Sequence, residues 1–383
     1  MIITVLHKSA IRCINKKDGS SVKNKLLHSL FQTRISLTNY LEAKMYPVRI
    51  LSIDGGGIRG IIPLKVLEYI EKKTGKSIHQ LFNIFGGTST GGIIALGLNS
   101  LNPETQKVYT AEELIKFYTE DADKIFYSWN RGSGFGWFSS QYSPDNIESY
   151  LKNKFGETTL LVELPTTENC DVTVYSYDLL NNQPFYFNNR DKVSGSFLVW
   201  QAARATSAAP AFFPAFKLKR EEMDLLLTDG GVYINNPALN LLIRARRQFS
   251  HIKKQSQLLV SLGTGQFSPS REDLENAGVT NGWAKAIFNI ASMGTSAEYE
   301  SQIRELLEYL DPQIFHDEKE WEKRYYRFQK EFKEDVPMDG KKKEQIKRLV
   351  KLGDALVEEN KSELDQLCAT LITPMDISDS DVE

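Results

Sequence analysis

A chain of 383 residues with 41% hydrophobic and 25% charged side chains has the composition of a globular protein with apolar residues enough for a substantial core, which excludes an intrinsically disordered chain. Its formal charge of -2 offers no global attraction to nucleic acid or to anionic membranes, so no nucleic-acid partner is expected and any membrane affinity has to be local.

Residues 1–46 form a basic extension, with Lys8, Arg12, Lys16, Lys17, Lys23, Lys25, Arg34 and Lys44 against Asp18 and Glu42. It reads as an anionic-lipid contact, an address, an autoinhibitory arm or a disordered leader. The run Ile2, Ile3, Val5, Leu6 is too short for the core of a signal peptide, and no stretch of roughly 18 apolar residues is present to span a bilayer. The cysteines Cys13, Cys170 and Cys368 stand far apart without CxxC spacing, which speaks against a disulfide framework or a zinc site and for a reducing, cytoplasmic setting.

Residues 47–265 alternate strand and helix signals. Val48–Ile53 predicts a strand ending at Gly55, Gly56 and Gly57; Pro63 then suits a first helical turn, with Leu64, Leu67 and Ile70 at helical spacing until Gly75. A second strand is expected over Leu81–Phe85, running into Gly86 and Gly87, before Ile93, Ile94 and Leu96 resume as helix. Val172–Tyr177, Phe185–Phe187, Leu225–Thr228 and Leu258–Leu262 read as further strands, the pattern of a parallel or mixed sheet flanked by helices. Residues 266–370 are expected to be a helical C-terminal region packed on that domain, from the apolar spacing of Ile287, Ile290, Ile303, Leu306, Leu307, Leu310, Ile346, Leu349, Val350 and Leu352. Within it the charged runs Asp317–Arg327 and Lys341–Lys347 read as solvated helix faces. Residues 371–383 make an acidic tail.

Gly87-Thr88-Ser89-Thr90-Gly91 matches G-x-S-x-G between a predicted strand and a predicted helix, the setting in which that serine is a nucleophile. On such a turn the hydroxyl stands clear of the backbone, the flanking glycines leave room for a carbonyl, and the helix aims its N-terminal dipole at a developing oxyanion. Asp54-Gly55-Gly56-Gly57-Ile58-Arg59-Gly60 contains G-x-G-x-x-G, so a dinucleotide loop has to be weighed; yet Glu71 falls inside a helix, and the loop lacks the Gly-Lys-Ser/Thr of a phosphate loop. Consecutive glycines serve better as an oxyanion hole, in which each N–H donor is worth about 2.7–4 kcal/mol. A Ser-His-Asp hydrolase would need a histidine after the acid. Only His251 and His316 follow Asp229, both in polar runs typical of exposed surface. Leu225-Leu226-Leu227-Thr228-Asp229-Gly230-Gly231 instead delivers a carboxylate at the end of an apolar strand, followed by glycines that permit close approach to another loop; alone, such an aspartate also reads as a turn former or cap.

Together, and in this order, the three motifs resemble those of the patatin-like phospholipases. Ala205–Pro214 and Ser261–Gly265 resemble further segments of that family, so the similarity runs from about Val48 into the C-terminal helices and leaves the basic extension uncovered. The resemblance implies a three-layer α/β/α sandwich related to the cytosolic phospholipase catalytic domain, and lipid acyl hydrolysis without histidine, calcium, another metal or a cofactor. It maps Ser89 to the nucleophile, Asp229 to the dyad base, Gly55, Gly56 and Gly57 to the oxyanion loop, and Arg59 to a loop arginine; the Thr90 N–H joins the oxyanion donors. An aspartate with its ordinary pKa of about 3.9 is a poor base at neutral pH, so a desolvated Asp229 is expected.

A membrane lipid substrate with peripheral docking follows, with room for an activating protein partner. Trp129, Phe135, Trp137, Phe138 and Tyr142 lie in or beside a glycine- and serine-rich stretch that suits interfacial insertion or a lid, and equally packing over an acyl groove.

Overall fold

The computed structural model describes residues 48–127, 141–165, 170–220, 223–251, 257–267, 294, 296–307 and 324–373. The basic extension, Trp129, Phe135, Trp137, Phe138, Ile287, Ile290, Leu310, His316 and the acidic residues from Asp376 onward lie outside them.

Strand β1 (Val48–Ile53) is buried along its whole length, as a central parallel strand with a near-continuous aliphatic run should be. It pairs in parallel with β2 (Ile84–Thr88) on one edge and β7 (Gln257–Leu262) on the other, and β9 (Tyr325–Phe328), which comes after the two-residue β8 (Gln266–Phe267), extends the sheet in parallel beyond β7. On the other side of β2 lies β3 (Asp171–Asp178), parallel to it, which turns back into β4 (Gln183–Asn188). A second hairpin joins β5 (Phe216–Arg220) to β6 (Met223–Asp229).

Alternation along the strands sends side chains to two separate cores. Leu51 and Ile53 enter the larger one, shared with α1 (Ile61–Thr74), α2 (Thr90–Gly97), α3 (Ala111–Thr119), α4 (Ala122–Ile125), α5 (Pro144–Phe155) and α6 (Val199–Thr206). Val48 and Ile50 enter the smaller one, covered by α7 (Ala238–Gln248) and the helical residues 296–307. Helices α8 (Lys343–Glu359) and α9 (Lys361–Leu371) return to the first face, against α1. The architecture is the three-layer α/β/α sandwich that the resemblance implies.

One feature of β3 positions everything that follows. Its edge toward β4 is occupied from Thr173 to Asp178, so its other partners share the opposite edge. There β2 pairs as far as Thr88 opposite Tyr175, and antiparallel β6 takes over with Asp229 opposite Ser176. Two strands thus approach head-on along one edge, and their last residues stop at neighbouring positions.

The structure departs from the sequence pattern in two places. The second strand runs over Ile84–Thr88 rather than Leu81–Phe85, because Ile78–Gln80 form a 3-10 turn and the strand continues through Gly86 and Gly87. Those glycines sit within a strand because neighbours press on both faces: a Cβ on Gly86 would lie 2.6 Å from Leu241, and one on Gly87 would lie 2.1 Å from the Gly91 backbone. The described end of the Asp317–Arg327 run is a buried strand, not a solvated helix face. Tyr325, Tyr326 and Phe328 suit a sheet position, and the charge on Arg327 is matched inside the protein by Asp54.

Candidate active site

Ser89 bridges β2 and α2 with φ 56° and ψ -126°, a left-handed backbone that few non-glycine residues adopt. The surroundings hold it there. The Ser89 N–H donates to Thr206 Oγ1 at 2.8 Å, the Thr206 hydroxyl donates to the Tyr175 carbonyl at 2.6 Å, and the Thr88 hydroxyl donates to the Ile234 carbonyl at 2.6 Å. Backbone contact, rather than room for a substrate, requires the flanking glycines: a Cβ on Gly91 would lie 2.1 Å from the Ile53 carbonyl oxygen. Gly91→Ala is therefore expected to push α2 off the sheet, destabilising the protein by about 1–3 kcal/mol or more and collapsing ester turnover. Thermal melting and hydrolysis of a soluble nitrophenyl ester check this; wild-type values for both would contradict the close crossing.

Asp229 is fully buried at the end of β6. Its Oδ1 accepts from the Gly231 N–H at 2.7 Å, while Oδ2 is buried without a hydrogen-bond partner. The Ser89 hydroxyl comes near enough to the carboxyl to favour its ionised form. Burial outweighs the help from Ser89 and Gly231 and pushes the carboxyl up to about 7.

The glycine loop approaches from β1. Ile53 pairs with Gly87, which brings Gly55 level with Ser89, and a Cβ on Gly55 would lie 3.2 Å from that of Ser89. The Gly55 N–H is engaged by the Asn235 carbonyl at 3.2 Å, and its carbonyl accepts from Thr264 Oγ1 at 2.6 Å. The N–H groups of Gly56 and Gly57 find no partner among the described residues, and the Thr90 N–H is one of the free donors at the start of α2. From behind, Thr264 closes on Gly56, and the Met338 carbonyl closes on Gly57 while accepting the Ile58 N–H at 2.8 Å.

Asp54, at the root of this loop, meets Arg327 in a buried bidentate pair, NH1 to Oδ1 at 3.1 Å and NH2 to Oδ2 at 2.7 Å, with Ser261 Oγ accepting from NH1 at 2.9 Å. Burial pushes the Asp54 carboxyl upward, and the guanidinium opposes that. Arg59 lies elsewhere. Its guanidinium stacks over Phe332, 5.8 Å from the ring centroid, and burial lowers its pKa to about 10 against the pull of Asp335 and Asp339. It touches the loop only through its own backbone, whose N–H donates to the Gly56 carbonyl at 3.2 Å.

From Ser89 a cleft leads between α2, α3 and α5. Its walls are Ile93, Phe117, Tyr118, Ile125, Phe126, Ile147, Tyr150, Leu151, Phe212 and Phe213; polar groups gather where Ser89, Thr90, Ser207 and Asn235 stand. Even there Thr90 Oγ1 and the Tyr118 hydroxyl satisfy one another at 2.5 Å. The cleft suits a hydrocarbon chain with an ester at its end. Among the described residues no histidine lines it: His79 pairs with Asn99, and His251 is exposed beside Phe249.

Sequence patterns find Ser89, Asp229 and the glycines, which the fold brings together, and Arg59, which it sets apart. They miss Asn235, Met338, Arg327 and the aromatic walls, which carry no local signature; Thr206 lies within the Ala205–Pro214 stretch that resembles the family and could have been singled out there.

An α/β/α sandwich with a serine on a strained strand-to-helix turn, opening onto a long apolar cleft, defines the class of hydrolases that act on acyl chains. The family model described as patatin-like phospholipase matches residues 51–242, half of the chain, and the protein belongs to that family. It is a lipid-hydrolysing enzyme. Patatin-like protein 2 of Oryza sativa subsp. indica is 29% identical over 361 residues, covering 84% of this chain and 86% of its own length. Calcium-independent phospholipase A2-gamma of Homo sapiens is 26% identical over 367 residues, covering 91% of this chain and 43% of its own, so this chain spans less than half of that protein. The crystal structure of VipD from Legionella pneumophila aligns with a TM-score of 0.42 at 14% identity, over 82% of this chain and 67% of that one.

Proposed function

We propose that this enzyme hydrolyses fatty-acyl esters of membrane glycerolipids through an acyl-enzyme on Ser89, with Asp229 as the base. The observation that carries the reading is the fully buried Asp229 carboxyl, which the Ser89 hydroxyl approaches closely enough to favour its ionised form, with Ser89 on the wall of an apolar cleft.

Ser89 Oγ attacks the ester carbonyl carbon as its proton passes to Asp229. The oxyanion accepts from the Gly56, Gly57 and Thr90 N–H groups, while the Gly55 N–H keeps the loop in place. Collapse breaks the bond to the alcohol oxygen, and that alcohol leaves with the proton held by Asp229. Water then attacks the acyl-serine, again giving its proton to Asp229, and the fatty acid departs as Ser89 is restored. Arg59 acts at a distance, through its stacking on the segment that backs the glycine loop.

Residues 47–265 form the catalytic unit in this reading, with the described part of residues 266–370, Met338 among them, completing the loop's support. No helix among the described residues is long and apolar enough to cross a membrane; the reading takes the lipid to be met by peripheral docking. Mass spectrometry of mixed liposomes incubated with the native protein should reveal free fatty acid and deacylated lipid, both absent with Ser89→Ala. Equal release by the variant would remove Ser89 from the chemistry.

A further inference from the structure

We infer that an apolar groove beside the cleft holds the second acyl chain of a two-chain glycerolipid, an inference that rests on the reading of Ser89 and the cleft just given. Residues 207–215, between α6 and β5, form a partition. One side of it, through Ala209, Phe212 and Phe213, walls the Ser89 cleft. The other side, through Pro210, Phe213 and Ala215, walls an open groove that Tyr177, Leu179, Thr228, Val232 and Tyr233 complete. Phe213 belongs to both, so the two hollows adjoin at that side chain. The groove also ends beside the base, since Thr228 immediately precedes Asp229 and Val232 follows it by three residues.

Two of the polar groups along it are turned to other uses. The Thr228 hydroxyl donates to the Ala208 carbonyl at 2.8 Å and the Tyr177 hydroxyl to Asn182 at 2.6 Å, while the hydroxyl of Tyr233, also on the lining, is buried without a hydrogen-bond partner among the described residues; most of the remaining wall is hydrocarbon. At its rim Leu179 is 47% exposed, and Leu180 next to it 56%. Both follow Asp178, two residues beyond the Ser176 position that faces Asp229 on β3, so this apolar surface lies just past the strand end that carries the Ser89–Asp229 junction.

In a diacyl glycerolipid the two esters sit on neighbouring carbons. Once one carbonyl reaches Ser89 and its chain fills the cleft, the other chain departs from nearly the same point and has to cross the partition. The groove is the apolar surface waiting on the far side, and each methylene it covers adds binding that a one-chain lipid lacks.

The full chain is assayed in detergent micelles on a diacyl phosphatidylcholine, on the lysophosphatidylcholine with the same acyl group, and on nitrophenyl butyrate. Leu179→Asp puts a charge on the rim, and Ala215→Trp fills the groove without one. Both are expected to lower kcat/KM for the diacyl lipid at least tenfold and to leave the other two substrates within twofold of native. A uniform fall on all three, or an unchanged diacyl rate, overturns the inference, as does a native enzyme that hydrolyses the lysolipid but not the diacyl lipid. Loss of every activity in Ser89→Ala alongside such results confines the failure to the groove; retained activity in that variant undermines the reading of the dyad instead.

Discussion

Asp229→Asn is expected to lower turnover of a soluble ester by about 10²–10⁴-fold, the usual worth of a general base, while making the folded protein more stable at neutral pH. The two effects share one cause. Burial holds the Asp229 carboxyl at about 7, whereas in the unfolded chain it titrates at the ordinary value of 3.8. An acid whose folded pKa is raised leaves stability unchanged while it is protonated in both states, and costs stability once the unfolded chain ionises it. Its cost is absent below about pH 4, grows as pH rises toward 7, and is fully present above that. The displacement corresponds to about 4 kcal/mol. Asparagine keeps an acceptor for the Gly231 N–H and carries no charge, so its melting temperature should match the native one near pH 4 and exceed it increasingly up to about pH 7. In the native enzyme kcat/KM should rise through an apparent pKa of about 7, because the free enzyme has to lose the Asp229 proton. A profile flat down to about pH 4, or melting curves whose difference does not depend on pH, would exclude a desolvated base.

Arg327→Met is expected to destabilise the protein by about 3–5 kcal/mol, because it strands the Asp54 carboxylate, 1% exposed, in the interior. The loss falls on activity as well, since Asp54 anchors the first of the oxyanion glycines. Adding Asp54→Asn to Arg327→Met removes the stranded charge and should restore most of the stability, as neutral replacements of a buried pair often do, without restoring kcat. Arg327→Lys should fall between, having the charge but not the two-pronged geometry. Denaturant midpoints and soluble-ester kinetics across the three variants and the native protein separate the roles. Recovery of kcat together with stability in the double variant would reduce the pair to a structural one.

Much of the core sheet was legible because its strands are short apolar runs closed by glycine, and α1 because Leu64, Leu67 and Ile70 keep helical spacing up to a left-handed Gly75 with φ 67°. Strand β9 was not. Its flanking charges imitate a solvated helix, and partners distant in the chain, Asp54 273 positions away and Glu300 at 3.6 Å, make burial of the Arg327 charge tolerable. Strand β5 escaped although buried Phe216 and Leu218 alternate with exposed Lys217 and Lys219, because a five-residue run carries too few alternations to stand out from a charged turn.

By itself the sequence determined the chemistry that short motifs can encode: a serine on a glycine-flanked turn, a loop of free N–H groups, and an aspartate at a strand end. Each depends on backbone conformation within a few residues, which local sequence dictates. Only the tertiary structure decided that the serine and the aspartate meet, because that follows from β2 and β6 sharing one edge of β3 from opposite directions. It alone also decided that Arg59 stacks away from the loop while Arg327 holds it, since pairing between distant strands is set by register and burial rather than by any local pattern.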